Sequence, residues 1–119
     1  MTYRALSIIA PGGDQIRRGE KTFEIRKWQP EAIPVKDLLI VQNSVRLSKS
    51  GIAEDPDGRA VALIDIDSVS EWQEEELAAA CGSRWEPGWF AWKITNVRPF
   101  EYDAEVPAKL RIYEVEIQN

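Results

Sequence analysis

The sequence predicts an α+β fold: about six strands curled into a small barrel, with two helices flanking it. Three observations carry this expectation. The longest apolar runs, Leu38–Val41 and Ala60–Ile64, have the length of strands. Strand-like segments follow one another in runs, without strict alternation with helices. Only two stretches carry helix signals. With 119 residues, 44% of them hydrophobic, and five tryptophans, the chain can bury a core, and residues 1–119 are expected to form one domain.

The elements are expected as follows. Tyr3–Ile9 reads as the first strand. Pro11, Gly12 and Gly13 then break the chain, and a short helical turn over Asp14–Arg18 is closed by Gly19. Thr22–Lys27 alternates and reads as the second strand, and a loop with two prolines leads to a buried strand over Leu38–Asn43. Residues 44–58 have the small, polar, Gly- and Pro-containing character of a long surface loop, a class that often carries function. Arg59–Ser70 is a strand. Glu71–Gly82 reads as a second helix: Ser70 caps it, acids fill its first turn and Gly82 ends it. Residues 88–100, rich in aromatic and β-branched side chains, form a long strand that Pro99 stops. Arg111–Gln118 is the last strand.

Composition excludes several classes of chemistry. There is no histidine, so Ser-His and Cys-His nucleophile pairs are ruled out, as is any histidine acid or base. One cysteine, Cys81, precludes an internal disulfide and the usual zinc ligand sets. No apolar run approaches a membrane span, and no signal peptide is visible, which points to a cytoplasmic protein. The acids of Glu71–Glu76 are explained by a helix N-terminus, so neither a metal nor any other cofactor is expected. The net charge of -5 argues against strong duplex DNA binding. Charge is nevertheless uneven: residues 1–27 carry six Lys or Arg against three acids. A local basic surface on an acidic body suits a defined anionic ligand.

The segment Gly19–Trp28, GEKTFEIRKW, is the main candidate for function. On a strand, Thr22, Glu24, Arg26 and Trp28 share one side, and Phe23 and Ile25 share the other. If the polar side faced plain solvent, Trp28 would be out of place at its end. If it were core, three polar groups would need buried partners. A cleft satisfies both constraints. There Lys21 and Arg26 would hold an anionic or carbonyl-rich ligand, and Glu24 would accept from a base or sugar. The alternative is an ion pair of Glu24 with Arg26 or Lys21 that merely braces a strand.

SIIAPGGDQIRRGEKTFEIRKW resembles the first signature of ASCH domains, the PUA-like family named after activating signal cointegrator 1. Gly19, Lys21, Thr22, Glu24 and Arg26 match its Gly-x-Lys-Thr-x-Glu-x-Arg pattern. DLLIVQNS, GRAVALIDI and GWFAWKITNVRPF resemble later blocks of the family in the same order, so the resemblance spans nearly the whole chain. It implies a PUA-like β-barrel with flanking helices beside a cleft that binds RNA or a nucleoside. Some bacterial members are similar small enzymes: amidohydrolases that deacylate N4-acylated cytidine, and a type of ribonuclease. By this resemblance Lys21 and Glu24 are the catalytic candidates. The sequence departs from the amidohydrolases in one respect: their nucleophilic threonine aligns with Glu24. A carboxylate can act as a base towards water but cannot replace an alkoxide nucleophile. A third, acidic member would lie beyond the central strand, where Glu74, Glu75, Glu76 and Glu86 all qualify.

Ser44, Arg46 and Lys49 in the long loop could contact phosphate, although such loop charges are often only solvated. Trp89 and Trp92 could stack on a base, although a barrel strand would bury at least one of them. Arg98 could close the cleft. The leading expectation is therefore an ASCH-type module that binds RNA or a modified nucleoside, using Lys21, Thr22, Glu24, Arg26 and Trp28. A small hydrolase is the alternative. A protein-interaction surface built on Trp85, Trp89 and Trp92 is the second alternative.

Overall fold

The computed structural model describes residues 1–118. The chain forms strands β1 (Thr2–Ile9), β2 (Phe23–Arg26), β3 (Val35–Asn43), β4 (Glu54–Asp55), β5 (Arg59–Glu71), β6 (Phe90–Pro99), β7 (Ala108–Lys109) and β8 (Ile112–Glu116). Helix α1 spans Gly12–Arg17, and a single 3-10 turn covers Glu74–Glu76. Six strands form one mixed sheet in the order β2-β6-β5-β3-β1-β8, in which only β1 and β3 are parallel. Strands β4 and β7 make a separate pair.

Two expectations are corrected here. The fold is dominated by sheet and is not α+β with two helices. Nor is the sheet closed into a barrel, because its edge strands β2 and β8 form no ladder among the described residues. Strand β8 pairs with β1 only from Thr2 to Leu6, so beyond Leu6 β1 has no ladder partner on that side among the described residues, and the Ser7 hydroxyl bonds the Lys109 backbone instead. There the guanidinium of Arg26, at the end of β2, donates to the Ser7 carbonyl at 2.8 Å. A side chain thus bridges a seam that a barrel would close with backbone.

The second expected helix, over Glu71–Gly82, is also replaced. Strand β5 runs on to Glu71 and pairs Ser68–Glu71 with Lys93–Phe90 of β6. Trp72 is buried and donates its N–H to the Trp89 carbonyl. The Ala79 carbonyl then receives the N–H groups of Thr22 and Phe23, and the Ala80 carbonyl receives Lys21. Carbonyls that would propagate a helix are spent on neighbouring segments, so tertiary contacts override a favourable local propensity.

The run LLIV is explained by burial on both faces of the sheet. Leu38 and Ile40 pack with Leu6, Ile8, Ile64 and Trp92, while Leu39 and Val41 pack with Val115, Phe100 and Val106. Continuous apolar sequence marks strands covered on both sides. Helix α1 sits against β3 and β5. A side chain at Gly13 would meet Gln42 Cβ at 2.9 Å and Val61 Cγ2 at 3.0 Å, so only glycine allows this approach. The Asp14 N–H donates to Gln42 Oε1 at 2.8 Å, and Gln42 Nε2 donates back to Asp14 Oδ2 at 3.0 Å. The helix is thereby fixed, along with the turn that follows it.

Candidate functional site

That turn delivers Lys21. Gly19 adopts φ +79°, which glycine takes without penalty, and the Gln15 carbonyl receives the N–H groups of both Glu20 and Lys21. Strand β2 then pairs with β6, setting Glu24 opposite Trp92 and Arg26 opposite Phe90. Phe23 and Ile25 point away, into a third apolar cluster with Trp72, Ala80 and Ala91. The period of two therefore places Glu24 and Arg26 together on the opposite face.

That face forms part of the wall of an open cleft of about 810 Å³ beside the seam. Glu24 is 5% exposed. Its Oε1 lies 3.3 Å from Lys21 Nζ, and its Oε2 accepts from Arg26 Nε at 3.0 Å and Nη2 at 2.8 Å. Lys21 Nζ also donates to the Ala80 carbonyl at 2.6 Å. Such charge-assisted contacts satisfy a buried carboxylate. They also leave capacity unused. A carboxylate has about four acceptor positions; Arg26 takes two, both on Oε2, and Oε1 faces Lys21 as an ion pair with no hydrogen bond among the described residues. An ammonium has three N–H donors, of which Lys21 commits one to the Ala80 carbonyl, and Arg26 Nη1 makes no hydrogen bond among the described residues.

The cleft is more basic than the chain. Seven Lys or Arg line it against two carboxylates, Glu24 and Glu86, although the whole protein carries -5. Arg84 is paired with Glu86, and Lys109 with Glu54. The Lys27 ammonium lies 4.9 Å from the centre of the Trp89 ring, and the Arg111 guanidinium 4.2 Å from that of Trp28. The Trp72 indole N–H, buried in the wall, has no partner among the described residues.

The ASCH domain family matches residues 6–103. The chain belongs to the ASCH-domain family. A variant of an ASCH protein from Zymomonas mobilis is similar in structure, with a TM-score of 0.52 and 14% identity over 92% of this chain and 88% of that one. Another structure of ASCH from Zymomonas mobilis gives a TM-score of 0.48 and 12% identity over 92% and 87%. No curated protein matches the chain.

Within this ASCH domain the candidate residues divide into two groups. Lys21, Glu24, Arg26, Trp28, Arg46 and Trp89 all line the cleft. Thr22, Ser44, Lys49 and Arg98 do not. Thr22 points to the Ala79 carbonyl at 3.4 Å, and Ser44 and Lys49 are exposed on the loop after β3. Arg98 binds Asp37 and Asp65 instead of closing the cleft. Trp28 lines the cleft but meets Trp92 edge-on at 4.9 Å and carries Arg111, so it is not a free stacking surface. Trp92 is wholly buried and donates to the Trp28 carbonyl at 3.2 Å. Trp85 and Trp89 are half-buried, so the three tryptophans form no exposed apolar patch. Of the four acids considered for a third catalytic position, only Glu86 lines the cleft, and it is committed to Arg84.

Sequence reasoning missed Arg84, Lys109 and Arg111 as cleft residues. It located the basic surface in residues 1–27, yet Arg4, Arg17 and Arg18 lie outside the lining. These missed cations come from separate segments that only the fold gathers, and no local pattern joins them. Among the described residues no helix is long and apolar enough to cross a membrane.

Proposed function

We propose that this ASCH-domain chain binds RNA or a modified nucleoside in the cleft beside the open seam, with residues 1–119 acting as one binding domain. The observation that carries the reading is the cluster of buried Glu24 with partly buried Lys21 and Arg26, paired to one another and still holding unused donors and an acceptor at the wall of an 810 Å³ cleft. A nucleobase presents donors and acceptors side by side. Glu24 Oε1, which accepts no hydrogen bond among the described residues, suits a base amino group or a ribose hydroxyl, and the spare donors of Lys21 and Arg26 suit a carbonyl or phosphate. Trp89, half-buried in the same wall, offers aromatic surface for a base. The family supports RNA as the ligand class.

Titration of short single-stranded RNA and of cytidine against the wild type and Lys21→Ala, at low salt, tests the proposal. Binding by the wild type that falls on the order of tenfold in the variant is expected. No binding by either protein rejects it.

A hydrolase acting on N4-acylcytidine is the second reading, supported by one contact: Lys21 Nζ lies 3.3 Å from Glu24 Oε1. There Lys21 would polarise the acyl carbonyl, and Glu24 would take a proton from an attacking water. The acyl carbon–nitrogen bond would break, releasing cytidine and a carboxylic acid. With the nucleophilic threonine of the enzymes replaced by Glu24, no release of cytidine from N4-acetylcytidine is expected. Turnover that disappears in Glu24→Gln would establish the hydrolase instead.

A further inference from the structure

We infer that the cleft takes a ligand carrying a phosphate, and that Arg111 is the side chain that contacts it. This rests on the reading of the cleft as a nucleotide-binding site, and it specifies which part of the ligand determines affinity. Four of the cleft's seven cations are already held by carboxylates: Lys21 and Arg26 by Glu24, Arg84 by Glu86, and Lys109 by Glu54. Lys27, Arg46 and Arg111 have no carboxylate partner among the described residues. A neutral nucleoside gives these three nothing of opposite charge to meet.

Arg111 differs from the other two in how it is held. Its backbone has φ +60°, a region that side chains other than glycine rarely adopt. Three other non-glycine residues share this conformation. Asp37 and Asn96 have short polar side chains that tolerate it, and both bind Asp65. The remaining two, Cys81 and Arg111, both line the cleft. Arginine has no short polar group to relieve the strain locally. The turn between β7 and β8 nevertheless keeps Arg111 there, with its guanidinium 4.2 Å from the centre of the Trp28 ring. Backbone strain of this kind collects where a side chain must be aimed. Resting on an aromatic face limits the rotamers that a long side chain must give up on binding, while its five N–H donors remain for a planar or tetrahedral oxyanion. Arg46 and Lys27 are exposed, as Arg111 is, but both have an ordinary backbone φ; Lys27 lies over the Trp89 ring as a compact ammonium, without the planar fork of Arg111.

The test compares the four ribonucleosides, their 5′-monophosphates, a dinucleoside monophosphate and inorganic phosphate, titrated against the wild type, Arg111→Gly and Arg111→Gln. In the wild type at low salt, at least one phosphorylated ligand is expected to bind on the order of tenfold more tightly than its nucleoside. Arg111→Gly relieves the left-handed backbone, so its thermal midpoint should not fall, while the preference for phosphate disappears and nucleoside affinity stays unchanged. Arg111→Gln should lose the same preference with the strain retained. The dinucleoside monophosphate distinguishes a phosphate within a chain from a terminal one. Equal affinity for nucleoside and nucleotide in the wild type, or a preference that survives both substitutions, would overturn the inference and leave the cleft reading intact. Binding of phosphate alone would support the inference and reject base recognition. Binding of none of these ligands would overturn both.

Discussion

Of the three buried carboxylates among the described residues, Glu24, Asp55 and Asp65, only Glu24 and Asp65 have cations beside them, and these two are equipped differently. Glu24 and Asp65 are each 5% exposed, and each has two cations beside it. Asp65 is hydrogen-bonded on both oxygens. Its Oδ1 accepts from the Asp37 N–H at 3.0 Å and from Arg98 Nη2 at 2.9 Å, while its Oδ2 accepts from Asn96 at 3.0 Å and lies 3.7 Å from Lys36 Nζ. Asp37 and Asn96 are left-handed residues at irregularities in β3 and β6, so Asp65 ties together bulges in the strands on either side of β5. Glu24 accepts hydrogen bonds only on Oε2, leaving Oε1 and donors of its partners free at a cleft wall. A buried carboxylate hydrogen-bonded on both oxygens is structure, whereas one with an oxygen left over at a cavity wall is a site.

The largest expected effect comes from breaking the Asp65 cluster. Asp65→Ala leaves the Asp37 N–H, the Asn96 amide and Arg98 without their acceptor, and should cost about 3 kcal/mol in denaturant unfolding. Ligand affinity of the folded protein should be unchanged. The reverse pattern is expected at the other cluster: Lys21→Ala should weaken RNA or nucleoside binding on the order of tenfold, about 1.4 kcal/mol, and lose less stability than Asp65→Ala.

Acid sharpens the contrast. Burial alone would raise the Asp65 carboxyl, but the Asp37 N–H, the Asn96 amide, Arg98 and Lys36 together hold it below its ordinary value of 3.8. A carboxyl lowered in the folded state contributes stability that is fully present above its unfolded value and lost as pH falls through its folded one. Stability should therefore decline as pH drops below that ordinary value, and Asp65→Asn should flatten this limb of the profile. The smallest effect is expected at Lys49, exposed on the loop and outside the cleft. Lys49→Ala should change stability by less than about 0.5 kcal/mol and leave affinity unaltered.

Much of the Glu24 cluster was legible because its members lie within one short segment. An alternating strand fixes which side chains share a face, and Lys21, Glu24 and Arg26 satisfy one another across that local spacing. The Asp65 cluster was not legible: Asp37, Asp65, Asn96 and Arg98 come from three strands and meet only through bulges that no period predicts. Arg98, expected as a residue that could close the cleft, pairs with Asp37 and Asp65. Arg111 and Trp28 likewise meet only in the folded chain. The six strands of the main sheet could be read from their apolar patterns, but β4 and β7, two residues each, are too short to show one. Glu71–Gly82 misled because its acids and alanines favour a helix locally, while the carbonyls of Ala79 and Ala80 are drawn to the turn that carries Lys21. Closure of the barrel was expected from strand number, yet number does not determine whether two edges meet. Here β2 has four residues, and Arg26 bridges the gap that remains.

The central claim is that the Glu24 cluster, and not the Asp65 cluster, receives the ligand. Backbone amide spectra recorded during titration with the four ribonucleoside 5′-monophosphates test it most directly. Shifts concentrated at Lys21–Trp28, Cys81–Glu86 and Leu110–Ile112, with Asp37, Asp65 and Asn96 unmoved, are the result this account predicts. Shifts centred on Asp37, Asp65 and Asn96, or no shifts with any nucleotide, would contradict it.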